Sequence, residues 1–382
     1  MNDVWTRFER IVGHPHKAIA EAKQATGKKV IGCHPMHVPE EMIHAAGALP
    51  VVMLGGGGSI NLANRHLQTS FLCLPIRYNL NARLGGRLGF LDGMIFPDIC
   101  EETRCLADIW RANCPADFHY SLLLPVNLSV PQAKGFLISE LTNLKSSLEG
   151  FTGQAISDED LRHSISIYNR NRRLLARLYD IRRINPGLFR ARDMVTAVAS
   201  SMLMPKEAHN ELLATLLKQI EGARDPAEGE TRLVLSGGLC EMPELDVLDL
   251  VEELGARVVD DDLYVGSRYF TTLVEERSDP IEALTDRFIE DVPCPTKFNR
   301  SRDPGSYLVD RTKRSNAGGV VIFMAKFCEP HGFDYPHLKN KLSEAGIPHL
   351  LLTTDHSGAS GQIRTRLQAF VELISRGQNG AS

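Results

Sequence analysis

No stretch of about 18 uninterrupted apolar residues occurs in the chain, which excludes a hydrophobic membrane-spanning helix. The opening segment "MNDVWTRFERIVGHPHKAIAEAKQ" is charged throughout and lacks the apolar core of a secretory signal, so a soluble, cytoplasmic protein is expected. Long blocks of one charge sign are also missing. The 47 acidic and 43 basic side chains leave a formal charge of −4, which argues against nucleic acid or an anionic membrane as partner. The glycine run at 55–58 lacks both the GxGxxG order and a Walker lysine, so it reads as a turn and no ATPase site is expected here. No repeat of 20 to 50 residues is evident.

A chain of 382 residues exceeds what one hydrophobic core usually supports, so more than one domain is expected. Short aliphatic runs, each followed by a helical pattern, recur at "KVIGC", "LPVVML", "DGMIFP" and "YSLLLP", then at "RLVLSGG", "ARVVDDD", "GGVVIFMA" and "PHLLLTT". Such alternation predicts parallel sheets covered by helices. Between the two groups, Leu161, Ile165, Tyr168, Leu175 and Leu178 keep helical spacing behind a Ser157/Asp158 cap signal, and further helical stretches span 193–203 and 206–220. "NPG" at 185–187 breaks this region and "GARDPAEGE" at 222–230 reads as a linker. The expected layout is an N-terminal α/β domain over 1–155, a helical region over 156–228 and a C-terminal α/β domain over 229–382. The two α/β halves are candidates for structural duplicates.

Eight cysteines carry no close-spaced pairs of the small-ferredoxin or structural-zinc kind. In a cytosolic chain their use is packing or metal binding rather than disulfides. Ligands of open α/β sheets bind outside the carboxyl ends of the strands, and Cys33, Cys100, Cys240 and Cys328 each fall just beyond a predicted strand. Thiolates brought from several loops suit an iron–sulfur cluster; a small buried hydrophobe is the competing reading for each. Cys105, Cys114 and Cys294 read as structural.

"CHPMH" at 33–37 is open to three readings: part of a metal site, a nucleophile beside its base, or a turn. No second close ligand pair supports zinc, and no protease signature surrounds Cys33. Asp260, Asp261 and Asp262 follow a predicted strand. An Asp cluster suits Mg²⁺ or proton transfer, but the commoner explanation is a solvated strand-to-helix loop.

The ordered set "GCHPMHVPEEMIHAAGALPV", "FLCLPIR", "FLDGMIFPDICEETRCLADIW", "VVDDDLYVGSRYF", "VIFMAKFCEP" and "GQIRTRLQAFVE" resembles the 2-hydroxyacyl-CoA dehydratase and benzoyl-CoA reductase family over nearly the whole chain. "TSFLCLPIR" around Cys73, Cys240 after "SGGL" and the length are most similar to the smaller catalytic subunit of ATP-dependent benzoyl-CoA reductase.

The resemblance implies two flavodoxin- or Rossmann-like parallel-sheet domains with a helical insert and a 4Fe-4S cluster between domains, held by Cys33, Cys100 and Cys328. Cys73 and Cys240 are secondary candidates. It implies an oxidoreductase acting on CH–CH groups of an aryl-CoA with an iron–sulfur protein donor, reducing benzoyl-CoA to a cyclic dienoyl-CoA in anaerobic aromatic degradation. The implied partners are a homologous second catalytic subunit, ATP-hydrolysing iron–sulfur activator subunits and ferredoxin, with ATP used by those partners. The alternatives are a 2-hydroxyacyl-CoA dehydratase subunit, which eliminates water through a radical, and a non-catalytic electron relay. Because a ring radical must be protonated, His34, His37 and Glu41 beside Cys33 are candidates for proton delivery or for orienting the thioester carbonyl. Glu41 also reads as a helix cap. Arg268 and Arg364 are candidates for CoA phosphates.

Overall fold

The computed structural model of the protein describes residues 2–55, 60–67, 72–224, 230–238, 240–277, 279–354 and 360–379. Most of the glycine run, the centre of the 222–230 linker, Thr69 to Phe71 of "TSFLCLPIR" and Leu239 lie outside these residues.

All eight predicted strands are present. They are β1 (Val30–Cys33), β2 (Leu49–Val52), β3 (Gly93–Pro97) and β4 (Phe118–Leu122), then β5 (Thr231–Gly237), β6 (Ala256–Leu263), β7 (Gly319–Ala325) and β8 (His349–Thr354). The fourth lies two residues earlier than its aliphatic run suggests, because Phe118 packs inward while Leu123 is exposed. Each set forms a parallel sheet, in the orders β2-β1-β3-β4 and β6-β5-β7-β8. The two orders are the same topology used twice.

In both sheets the chain leaves the first strand in one direction and later returns on its other side. The crevice at that switch, outside the carboxyl ends of the two central strands, is where open α/β sheets take their ligands. Cys33 ends β1 and Cys100 follows β3. Cys240 follows β5 and Cys328 follows β7. Both switch points therefore carry thiols.

The helices are α1 (Asn2–Gly13), α2 (Pro15–Thr26), α3 (Glu40–Ala45), α4 (Leu74–Leu84) and α5 (Glu101–Asn113) around the first sheet. The connecting group is α6 (Gln132–Thr152), α7 (Asp158–Ile184), α8 (Ala191–Leu203) and α9 (Lys206–Gln219). The second sheet adds α10 (Leu245–Glu253), α11 (Pro280–Glu290), α12 (Pro304–Arg314), α13 (Glu329–Glu344) and α14 (Gly361–Asn379). Among the described residues no helix is long and apolar enough to cross a membrane.

Helix α7 starts where its cap signal predicts: Ser157 and Asp160 form a reciprocal capping box, worth about 1 kcal/mol. Its apolar stripe, Leu161, Ile165, Leu175 and Leu178, is fully buried in a core that includes residues of both sheets, from Ile31 and Ile95 to Leu235 and Val321. Hydrogen bonds tie this helix to both halves. Ser164 Oγ donates to the Glu41 carbonyl at 2.8 Å, and the Tyr179 hydroxyl donates to Asp261 Oδ2 at 2.6 Å.

The acidic triplet corrects the expectation of a solvated loop. Asp260, Asp261 and Asp262 are the buried end of β6. Buried carboxylates need paired cations and donors, and these come from elsewhere in the chain. Asp260 meets Arg311 Nη1 at 2.7 Å and Arg183 Nε at 2.9 Å, Asp261 meets Tyr179, and Asp262 meets Arg268 Nη2 at 2.8 Å.

Candidate functional site

Cys100 and Cys328 are the residues immediately before α5 and α13, with extended backbone, so each thiol stands at a helix N-terminus. The amide dipoles there favour negative charge on sulfur. Around Met36, Ile99 and Cys294 they pack in one small apolar cluster with Cys240. Cys73 closes the group electrostatically: its thiol is raised by burial and then by the charges of Glu102, Cys328 and Cys100. Cys240 is raised by burial and by Cys328, Cys100, Cys73 and Cys294. Burial pushes the Cys100 thiol up to about 11, against the hydrogen bond from Thr103. Burial, with the Cys100 charge adding to it, pushes Cys328 up to about 12.

Cys33 stands apart. Along β1 alternate residues face opposite sides of the sheet, and Cys33 shares the face of Ile31, packing with Met42, Val52 and Ile95 in the main core. The charges acting on its thiol are those of Glu40 and Lys206, after burial, which is the main cause of its raised pKa. The turn it begins reaches the thiol cluster two residues later: Cys240 Sγ donates to the Pro35 carbonyl at 3.7 Å, and Met36 sits inside the cluster. Of the three cysteines selected by resemblance, Cys100 and Cys328 pack in one cluster with Cys240, while Cys33 packs in the adjoining core, and the charges of both Cys33 and Cys240 act on Tyr264 between them. Cys294, expected to be structural, is a buried neighbour of this group, while Cys105 is exposed on α5 and Cys114 is buried at its end.

Negative charge surrounds the thiols. Glu102 is held above the usual carboxylate range by burial and by Glu329 and Glu101, and Glu241 acts on Cys328. A cavity of about 420 Å³ lined by Glu102, Cys105, Phe327 and Cys328 opens beside them. Phe327, just before Cys328, has a φ of 70°, a left-handed value uncommon for a non-glycine residue and often found at functional loops.

On the other side of Met36 and Cys294 lies a second, polar chamber of about 40 Å³, whose lining includes His37, Glu40, Glu41, Arg172, Tyr264 and Tyr269. His37 also has a left-handed φ, 67°. Burial holds its pKa down at about 3, helped by Lys297, so it is neutral at physiological pH, and its Nε2 is buried without a partner. Glu41 does not cap α3. It forms a buried ion pair with Arg172, which keeps its pKa low although burial alone would raise it. Beside it, Lys206 Nζ donates to the Tyr269 hydroxyl at 2.6 Å, and that hydroxyl donates to Glu40 at 2.9 Å.

His34 points away from the chamber's lining residues. Its ring stacks on Phe96 at 5.9 Å, its Nδ1 lies 2.9 Å from the Pro35 carbonyl, and burial lowers its pKa to about 4. Arg268 lines the chamber but is committed to Asp262 and to the Pro293 carbonyl at 2.7 Å. Arg364 is exposed on α14 and pairs with Glu253 at 2.8 Å. A further cavity of about 810 Å³, reaching Met242 two residues past Cys240, carries Lys17, Arg87 and Arg192 on its wall.

Among the described residues, no three His, Cys, Asp or Glu side chains are gathered closely enough to hold a single metal ion. A family model described as "2-hydroxyglutaryl-CoA dehydratase, D-component" matches residues 35–374. The chain belongs to that family. Within it, the chain is 31% identical to the (R)-phenyllactyl-CoA dehydratase beta subunit of Clostridium sporogenes, over 96% of this chain and 97% of the relative. It is 30% identical to one of the benzoyl-CoA reductase subunits of Thauera aromatica, over 91% of both chains. It is also 28% identical to the beta subunit of (R)-2-hydroxyglutaryl-CoA dehydratase from Acidaminococcus fermentans, over 96% and 98%. Family members of both reaction types therefore match this chain to a similar degree.

Proposed function

We propose that this chain is an iron–sulfur catalytic subunit acting on an acyl-CoA thioester, and that the reaction is reduction of benzoyl-CoA to a cyclic dienoyl-CoA, two electrons and two protons entering the ring. The observation that carries the reading is the convergence of Cys100, Cys240 and Cys328, with Cys73 alongside, at the two switch points of the sheets.

The donor set fits a 4Fe-4S cluster. Each thiolate of such a cluster binds a different iron, so its ligands spread wider than those of a single ion. Buried thiols with raised pKa values carry charge only beside a compensating metal. A cluster held here would supply one-electron transfer at low potential. The carboxylates of Glu102, Glu241 and Glu329 would keep that potential low, since negative charge disfavours an added electron.

The chain's remaining roles are to orient substrate and to hold protons. Neutral His37 is placed to hydrogen-bond a thioester carbonyl oxygen, and the Lys206–Tyr269–Glu40 chain places an exchangeable proton in the same chamber. Glu41, held as a carboxylate by Arg172, fixes the chamber's geometry rather than delivering a proton. The CoA arm is assigned to the 810 Å³ cavity, which has the room for it and carries Arg87 together with Lys17 and Arg192, the last two paired with Glu21 and Asp249 at 3.9 and 3.1 Å. A homologous catalytic subunit, an ATP-hydrolysing iron–sulfur activator and ferredoxin complete the enzyme in the cytoplasm.

The second reading is dehydration of a 2-hydroxyacyl-CoA, favoured by the two dehydratase beta subunits among the relatives. The complex with its partner subunits, given ATP and a low-potential reductant, is fed aryl-CoA and 2-hydroxyacyl-CoA separately. Dienoyl-CoA from the first supports the reductase. Water loss from the second alone replaces it with the dehydratase.

A further inference from the structure

The polar chamber holds a cation that none of the roles above uses. Its other arginines are neutralised: Arg172 by Glu41, and Arg268 by Asp262. The carboxylate of Glu40 is met by Lys206 at 3.5 Å and by Tyr269. Arg287, on α11, donates through Nε to the Thr272 carbonyl at 3.0 Å, and among the described residues it forms no ion pair, carboxylate charges reaching it only through space. Its nearest compensating charges are Asp291 and Glu41, the latter already paired. Asp291 in turn is shared with the buried Lys297. Two cations thus face one unpaired anion, and the chamber carries a surplus of positive charge beside an unpartnered imidazole nitrogen of His37.

A buried positive surplus is costly unless an anion or a strong dipole joins it. The volume of about 40 Å³ admits one oxygen-bearing group and no ring. We propose that Arg287 and His37 form an oxyanion-binding site for a carboxylate or for the carbonyl oxygen of the acyl thioester as negative charge builds on it. This rests on the acyl-CoA reading above but names a residue and a ligand chemistry that the reading does not require. Arg287 suits the task because a guanidinium stays charged and offers a planar fork to oxygen. It binds the oxygen, and the ring or chain of the acyl group remains outside the chamber, toward Met36 and the thiols.

The test uses ¹³C-formate as probe with the full chain, in the absence of iron, so that its outcome is separate from cluster assembly and turnover. Formate line broadening should show binding to the unmodified chain. R287Q should weaken it at least tenfold, R287K should retain most of it, and R364Q should leave it unchanged. D291N, which removes the competing carboxylate, should tighten formate several-fold and serves if R287Q does not fold. Formate affinity unaffected in a folded R287Q, or unaffected in D291N, overturns the site. In the assembled enzyme, an acyl-CoA thioester should bind more tightly than the matching CoA thioether, which lacks the carbonyl, and R287Q should abolish that difference. Equal affinities for the two in the unmodified enzyme would show that the chamber takes free carboxylates and overturn the thioester assignment. Loss of iron or turnover without any change in formate binding speaks against the cluster reading alone.

Discussion

Glu41, the second residue of α3, and Arg172, in the middle of α7, form an ion pair with both side chains almost fully buried. The pair joins the first sheet to the connecting helices at the wall of the polar chamber. Removing one partner strands the other charge in a low-dielectric site, a loss of about 3 to 5 kcal/mol. Urea unfolding of E41Q and of R172M should each show a loss of this order. The double replacement E41M/R172M should recover much of it, because two apolar groups leave no orphan charge.

His209 gives the fold a defined acid limit. It is fully buried, its Nδ1 lies 2.8 Å from the Asn171 amide nitrogen and its Nε2 lies 3.0 Å from the Ala197 carbonyl. Only the neutral ring, protonated on Nε2, satisfies both contacts, since a protonated Nδ1 would oppose a donor. Burial and then Lys206 lower its pKa from 6.5 to about 3. Between these values the unfolded chain binds the proton and the folded chain does not, so stability falls as pH drops below about 6.5. Chemical unfolding at pH 7, 6, 5 and 4 should show a decline on the order of a few kcal/mol, and H209Q should flatten part of that slope. Equal slopes for the two chains would remove His209 from the account.

Gly237 ends β5 with a φ of 99°, and a Cβ there would overlap the Phe323 carbonyl oxygen of β7. Both strands lead directly to thiol-bearing loops. G237A should therefore lower the melting temperature by several degrees and displace Cys240 from Cys328. Thermal denaturation together with iron uptake measures both effects; an unchanged melting temperature would show that the strand ends tolerate the side chain.

Much of this architecture was legible in the sequence, and the reasons differ by element. Aliphatic runs marked all eight strands because parallel strands are buried on both faces. The start of α7 was legible because Ser157 carries out its cap locally. The order of the strands also put four cysteines beyond the carboxyl ends of the central strands, where the fold places them. What stayed hidden depended on side-chain direction and on contacts between distant segments. Cys33 ends a strand as expected, but the pleat that packs it with Met42, Val52 and Ile95, and the contacts of Pro35 and Met36 with the thiol group, depend on direction rather than on local sequence. Asp260 to Asp262 looked solvated because Arg183 and Arg311 lie far from them in sequence, although Arg268 lies close by. Arg287 carried no local motif at all, and Tyr269 lay within "VVDDDLYVGSRYF" with nothing there to mark its contact with Glu40. The chamber they line exists only when α3, α7 and α11 pack together.

Anaerobic iron and acid-labile sulfide content, measured with the electron paramagnetic resonance of the reduced protein, tests the assignment of the thiol cluster most directly. C100S, C240S and C328S should each lose most of the bound iron or change its spectrum, while C33S should keep the iron content and spectrum of the unmodified chain. Full iron retention in C240S together with loss in C33S would contradict the account.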